Sequence, residues 1–369
     1  MKLLIAGQYI AQFGELWEQS LSSLLEEASL GAIRSAQIES SNIEAVYVSN
    51  MLGGILDHQL HLGALVSSFF AHYPPSMRIE GACASGGMAL IAAEQALLAG
   101  TYKTVLVVGA EKMTDVATPI ITAALAGAAD AEREFGSTFP ALYALLAQEH
   151  MRAYGTTRDQ LSAVSVKNHQ HALTNSWAQF HKAITMADVN QSQIVADPLR
   201  LLDCSPVSDG AAAVVLTTKK VPQKPQIIAA AQANDTLALA DRTSLTSLNA
   251  TVKAAKMTYK QAGIKPTDIA VAEVHDCFTI AEIMALEDLG FCRPGQGGPM
   301  TLAGKTTTGG VVCVNPSGGL KAAGHPVGAT GIKQVAYLAE YVQREAVTYA
   351  LAHNVGGSGA TAVVHIIGK

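Results

Sequence analysis

Charge is scarce in this 369-residue chain. Lys, Arg, Asp and Glu together make up 15% of it, and aromatic residues only 5%. The net charge is −5 and no stretch is rich in Lys or Arg, which argues against a nucleic-acid partner. No apolar run approaches the ~20 residues of a membrane span. The opening MKLLIAGQYIAQFG has too short an apolar core for a signal peptide and reads as a first buried strand, so a cytosolic chain is expected. The five cysteines, at 83, 204, 277, 292 and 313, are odd in number and contain no CxxC pair. A disulfide framework or a cysteine zinc site is thereby disfavoured, and each thiol is read as packing or as chemistry.

What is present is small and apolar. Hydrophobic residues make up 49% and glycines number 32, a composition that suits small-residue helices packed tightly on sheets. Short apolar runs alternate with helical patterns. KLLIAG, EAVYVSN, TVLVVGA and AAAVVLTT read as strands, and LSSLLEEASLGAIRSAQ, HLGALVSSFFAHY and GGMALIAAEQALLAG as helices. The second half repeats this, with QIIAAAQ, IAVAEVH, YALAHNV and TAVVHII as strands. Its helices are SLNATVKAAKMTYKQAG, IAEIMALEDLG and GIKQVAYLAEYVQREA. That rhythm predicts an α/β fold with parallel sheets covered on both faces.

A faint duplication runs through it. SDGAAAVVLTT (208–218) pairs with GSGATAVVHII (357–367), an offset of 149, and NIEAVYVSN (42–50) pairs with DIAVAEVHD (268–276), an offset of 226. The first half then carries 77 extra residues, which the more polar, less regular stretch of about 117–205 supplies. The expected organisation is two α/β halves, 1–222 and 223–369, with a loop domain inserted in the first.

Four segments follow strands or precede helices: GACASGG (81–87), EVHDCFT (273–279), NPSGGLKAAGHPVGATG (315–331) and HNVGGSGAT (353–361). Sites in open α/β sheets gather at such loops. Cys83 stands before a helix whose N-terminus favours a thiolate, although a small buried hydrophobe is an equal reading. His325, between Gly324 and Pro326, supplies the imidazole that a thiol nucleophile needs. GHPVGATG lacks the spacing of a phosphate-cradling loop. His275 and Cys277 share a face if the strand runs that far, leaving Asp276 to orient its neighbours. GGSG at 356–359 is either a plain turn or a set of N–H groups facing an oxyanion. His353 is a pocket candidate or a strand-end residue. His169, His171 and His181 have no cysteine or paired carboxylates nearby, so no metal site is expected. Cys204, Cys292 and Cys313 read as packing.

With these loops in hand the chain resembles the thiolases along its whole length, most specifically in CASGG and GHPVGATG. Common thiolases carry an Asn-Glu-Ala-Phe loop and a Cys-x-Gly near the C-terminus. Here the loop is His275-Asp276-Cys277-Phe278, and Asn354 stands where the second cysteine belongs. Both changes, with FGELWEQS (13–20) and DCSPVSDGAAAVVL (203–216), are similar to the sterol-carrier-protein type of thiolase and to archaeal acetyl-CoA acetyltransferases.

The resemblance implies a five-layer αβαβα core and reversible condensation of two acetyl-CoA to acetoacetyl-CoA and CoA. It implies acyl transfer to Cys83, with His325 taking its proton and Cys277 as the second base in place of Asn354. His275 with His325 holds the enolate oxygen, and the N–H groups of Cys83 and Gly356 hold the tetrahedral oxyanion. Coenzyme A thioester is then the substrate, with no permanently bound cofactor. A homodimer or tetramer is expected, and so is a complex with hydroxymethylglutaryl-CoA synthase and a small bridging protein. Competing readings are a degradative 3-ketoacyl-CoA thiolase acting on longer chains, an acyl-handling scaffold subunit, and a decarboxylating ketoacyl synthase. The last calls for a second catalytic histidine near Asn354.

Overall fold

The computed structural model describes residues 2–345 and 347–369. In chain order the strands are β1 (Leu3–Ile10), β2 (Ala45–Ser49), β3 (Ser76–Ile79), β4 (Thr104–Glu111), β5 (Ile194–Ala196), β6 (Leu199–Arg200) and β7 (Gly210–Thr217). Then come β8 (Gln226–Asn234), β9 (Val271–Glu273), β10 (Cys313–Val314), β11 (Tyr349–Gly356) and β12 (Thr361–Gly368). The helices are α1 (Leu21–Ala36), α2 (Leu62–Ser67), α3 (Ser85–Leu98), α4 (Thr118–Ala126), α5 (Phe139–Tyr154) and α6 (Arg158–Ala172). They continue as α7 (Met186–Gln191), α8 (Asn249–Ala262), α9 (Thr279–Asp288), α10 (Gly297–Leu302), α11 (Gly319–Ala323) and α12 (Thr330–Glu345).

Ten strands form one sheet in the order β10-β9-β11-β12-β8-β1-β7-β4-β2-β3, while β5 pairs with β6 apart from it. The order reads as two equivalent halves meeting at β1 and β8. β2 holds the place that β9 holds, and β7 the place of β12, as the paired sequence landmarks require. The join is slight: Leu3 and Leu4 opposite Ile227 and Gln226. It lets the two halves fold around a shared central layer, α3 and α12, which both touch strands from each half. Helix α1 covers the first half from outside, and α8 covers the second. These are the five layers that the resemblance implies.

The sheets are mixed rather than purely parallel. β3-β2-β4 and β10-β9-β11 run parallel, whereas β7 and β12 return antiparallel to β4 and β11. The β11–β12 connection is a tight hairpin over 357–360, and a hairpin can join only antiparallel strands. Strands β4 and β7 are buried at every residue, which accounts for their unbroken apolar runs.

Helix α3 is apolar on all sides because it lies in the central layer. It crosses α12 almost backbone to backbone: a Cβ on Gly331 would lie 2.3 Å from the Gly87 nitrogen, and one on Gly86 2.8 Å from the Gly331 nitrogen. The run HLGALVSSFFAHY, expected to be one long helix, stops at Ser67, whose hydroxyl donates to the Pro74 carbonyl and turns the chain toward β3. The insertion is more regular than its sequence suggests, because capping boxes at Thr157/Gln160 and Thr185/Asp188 start α6 and α7. The expected final helix reaches Glu345, and its last predicted residue, Ala346, lies outside the described residues.

Candidate active site

The nucleophile loop follows β3. Ala82 sits at φ +52°, a left-handed conformation that costs a non-glycine residue roughly 1–2 kcal/mol. Local hydrogen bonds hold it there. The Gly81 N–H donates to Ser85 Oγ (2.9 Å), the Ser85 hydroxyl to the Ala82 carbonyl (2.6 Å), and the Ala82 N–H to Glu80 Oε1 (2.6 Å). The turn delivers Cys83 to the wall of a cavity of about 150 Å3.

His325 faces the same cavity. Its backbone N–H donates to Ser208 Oγ (2.9 Å), and its Nδ1 lies 2.7 Å from Thr330 Oγ1. The Thr330 hydroxyl has one proton, which it donates to the Pro326 carbonyl (3.0 Å), so toward His325 it accepts. The network therefore assigns the proton to Nδ1. Nε2, buried without a protein partner, is left as a lone pair.

His275 carries the opposite tautomer, and Asn354 sets it. Asn354 Oδ1 accepts the Gly87 N–H (3.1 Å), which fixes the amide orientation. Its Nδ2 then donates to the Cys83 carbonyl (2.9 Å) and faces His275 Nδ1 at 3.4 Å. Nδ1 is thus an acceptor, and the proton resides on Nε2, again buried without a partner. The two rings meet edge to face at 5.0 Å between centroids. One atom of each of Cys83, His275 and His325 lies within 4.8 Å of the others. Zinc would also accept such a ligand set, but a metal there would occupy the thiol.

Cys277 joins the cavity wall, so His275 and Cys277 do share a side even though β9 already ends at Glu273. Asp276 points away. Its carboxylate accepts the Leu320 N–H (2.7 Å), the Lys321 N–H (3.2 Å) and Asn168 Nδ2 (2.7 Å), pinning the HDCF segment to α11 and α6. The remaining wall is apolar and comes largely from the insertion. Ile121 and Leu125 of α4, Phe139 and Tyr143 of α5, and Val207 face Met113, Phe278 and Val327.

Burial dominates the electrostatics. It pushes the Cys83 thiol up to about 12, helped by the Glu111 carboxylate, against N–H groups of Gly357 and Cys83 that hold it down. The expectation of a resting thiolate is therefore overturned. The field of a helix terminus fades within one turn, and Cys83 precedes the first residue of α3 by two positions in a desolvated wall. Burial likewise raises Cys277 well above the ordinary thiol range. It holds His325 at about 3 and His275 well below its usual value, each lowered further by nearby positive groups. Thiols and imidazoles all rest neutral.

Other expected residues fall differently. The N–H that reaches the Cys83 sulfur belongs to Gly357; Gly356 ends β11 opposite Thr361 and lines a separate cavity. His353 is buried with Nε2 on Thr251 Oγ1 (2.9 Å) and does not line the site. Asn354 lies behind the wall, not on it. Cys204, read as packing, does line the cavity. His169, His171 and His181 each engage a different backbone carbonyl, of Lys182, Asn315 and Asn175. Sequence reasoning missed Thr330, Tyr143 and Glu111. The last accepts from Asn50 Nδ2 and the N–H groups of Met51, Leu52 and Gly328, tying the GHPVG loop to β4. Only Thr330 left a signal, a hydroxyl opening a helix five residues after the histidine.

Family models for a thiolase N-terminal domain and a thiolase C-terminal-domain-like region match residues 4–220 and 231–369. The chain is 47% identical to an acetyl-CoA acetyltransferase of Methanothermobacter thermautotrophicus, over 99% of both chains. It is 44% identical to one of Methanocaldococcus jannaschii, over 98% of both. Bovine sterol carrier protein 2 is 32% identical over 92% of this chain and 67% of its own length. The fold matches a thiolase from Ascaris suum solved with coenzyme A at a TM-score of 0.76, with 19% identity and full coverage of both chains. Sequence, fold and the meeting of the CASGG, HDCF and GHPVG loops agree: the chain belongs to the thiolase family.

Proposed function

We propose that the chain is an acetyl-CoA C-acetyltransferase that joins two acetyl-CoA molecules into acetoacetyl-CoA and free CoA through an acetyl-Cys83 intermediate. The observation that carries this reading is the pair of opposite tautomers: a lone pair on His325 Nε2 and a proton on His275 Nε2, both aimed at the cavity that holds Cys83 and Cys277.

Cys83 rests as a thiol, so its proton moves to His325 as the sulfur attacks the thioester carbonyl. The N–H groups of Gly357 and Cys83 stand ready for the developing oxyanion, a contribution of about 2.7–4 kcal/mol per donor. The departing CoA sulfur takes the proton of the Cys277 thiol. The resulting Cys277 thiolate removes a methyl proton from the second acetyl-CoA, whose enolate oxygen rests on His275 Nε2–H and protonated His325. The enolate carbon attacks the acetyl-Cys83 carbonyl, the Cys83–carbon bond breaks, and the Cys83 sulfur recovers its proton from His325. Both thiols and the imidazole return to their starting state, which balances the cycle.

The small apolar cavity favours a short acyl group over the longer chains of a degradative thiolase. A dimer or larger homo-oligomer is part of the reading, supported by the open sheet edge at β3 with Met77 exposed. Association with a hydroxymethylglutaryl-CoA synthase and a bridging protein rests on the family resemblance. For a cytosolic setting, the support is that no helix among the described residues is long and apolar enough to cross a membrane. The test is to supply acetyl-CoA alone and measure acetoacetyl-CoA beside free CoA. Equal amounts support condensation; free CoA with acetate and no acetoacetyl-CoA would show a hydrolase.

A further inference from the structure

Cys277 has to alternate between thiol and thiolate in a buried wall, and one residue of the insertion touches it. Tyr143, on α5, is 1% exposed and stacks on Phe278 with ring centroids 4.7 Å apart. Its hydroxyl donates to the Gly357 carbonyl at 3.1 Å and lies within hydrogen-bonding reach of the Cys277 sulfur. A phenol has one proton and here two acceptors to choose between. When Cys277 is a thiol, the proton satisfies Gly357 and the phenol oxygen can accept the S–H. When Cys277 is a thiolate, the same proton turns to the sulfur, where a charge-assisted bond is stronger.

We propose that Tyr143 is a positioning residue for the second half of the reaction, aiming the Cys277 sulfur at the substrate methyl group and stabilising its thiolate by donating the phenol hydrogen bond. The assignment rests on the condensation reading above, and it makes the inserted segment part of the acid–base machinery as well as a wall. The charged and titratable groups facing Tyr143 and Cys277 are Cys83 from the nucleophile loop, Arg242 from the segment before α8, and Asp276 beside Cys277. Arg242 is held by the Ser358 carbonyl (2.6 Å), so its position is independent of the phenol.

Tyr143→Phe keeps the ring on Phe278 and removes only the hydroxyl. Three quantities separate the roles: acetylation of Cys83 by intact mass, exchange of acetyl-CoA methyl protons with deuterated water, and acetoacetyl-CoA formation. In Tyr143→Phe, acetylation should stay near wild type, which also reports an intact fold. Exchange and condensation should fall roughly 10- to 150-fold, the range expected for one hydrogen bond to a charged atom. The pH profile of exchange should move to higher pH, because the thiolate loses its donor. In a Cys277→Ala background the substitution should change nothing further. Exchange at the wild-type rate with an unmoved pH profile would overturn the assignment. So would equal loss of acetylation and exchange, which would make Tyr143 merely structural. A wild-type protein that neither acetylates Cys83 nor exchanges methyl protons overturns the condensation reading itself, a result distinct from either.

Discussion

Replacing Thr330 by Val exchanges one buried hydroxyl for a methyl group at the start of α12, leaving shape and β-branching alone. The Pro326 carbonyl keeps its bonds from the Ala329 and Thr330 N–H groups (3.0 and 3.1 Å), so the loss falls on His325 Nδ1. A buried N–H without a partner costs about 1–3 kcal/mol, and moving the proton to Nε2 relieves it. The imidazole would then present N–H instead of a lone pair to Cys83. Since only the Nδ1–H tautomer can take the thiol proton, that penalty becomes a fall of roughly 5- to 150-fold in the acetylation rate. The assay is single-turnover release of CoA from acetyl-CoA, with quench times short enough to resolve the first acyl transfer. Circular dichroism checks that the variant is folded. An unchanged single-turnover rate in a folded Thr330→Val protein would refute the tautomer argument, because nothing else in the structure orders the His325 proton.

Two further outcomes are expected. Alkylation of Cys83 by iodoacetamide should rise steadily from about pH 6 to about pH 10 without a plateau, since a thiol at about 12 gains thiolate tenfold per pH unit throughout that range; a plateau near neutrality would indicate a preformed ion pair with His325. Gly331→Ala would set a methyl group against the Gly87 nitrogen and 2.3 Å from Asn354 Oδ1, so it should destabilise by about 1–3 kcal/mol in chemical denaturation and also weaken acetylation by moving the Asn354 clasp.

Much of this was legible in the chain itself. Apolar runs such as TVLVVGA and AAAVVLTT marked strands buried on both faces, and two weak sequence pairings put β2 with β9 and β7 with β12. The convergence of Cys83, His275, Cys277 and His325 followed from their places at the ends of elements. Sheet direction did not, because a short connection and a crossover look alike when the intervening turn is only glycine and serine. The resting charge of Cys83 was misjudged because the sequence shows the helix that follows the thiol and hides the apolar wall that desolvates it. Tyr143 left no trace either. Its importance depends on α5 folding back from an insertion onto a loop more than a hundred residues away, and no local pattern encodes that. The one-residue step from Gly356 to Gly357 lies below what periodicity resolves at a hairpin turn.

The central claim is that two thiols divide the chemistry, Cys83 carrying the acyl group and Cys277 moving the methyl proton. Intact-mass measurement after exposure to acetyl-CoA alone, on wild type, Cys83→Ala and Cys277→Ala, tests it most directly. One acetyl group on wild type and on Cys277→Ala but none on Cys83→Ala, with acetoacetyl-CoA formed only by wild type, is the predicted result. Acetylation that survives in Cys83→Ala, or condensation that survives in Cys277→Ala, would contradict it.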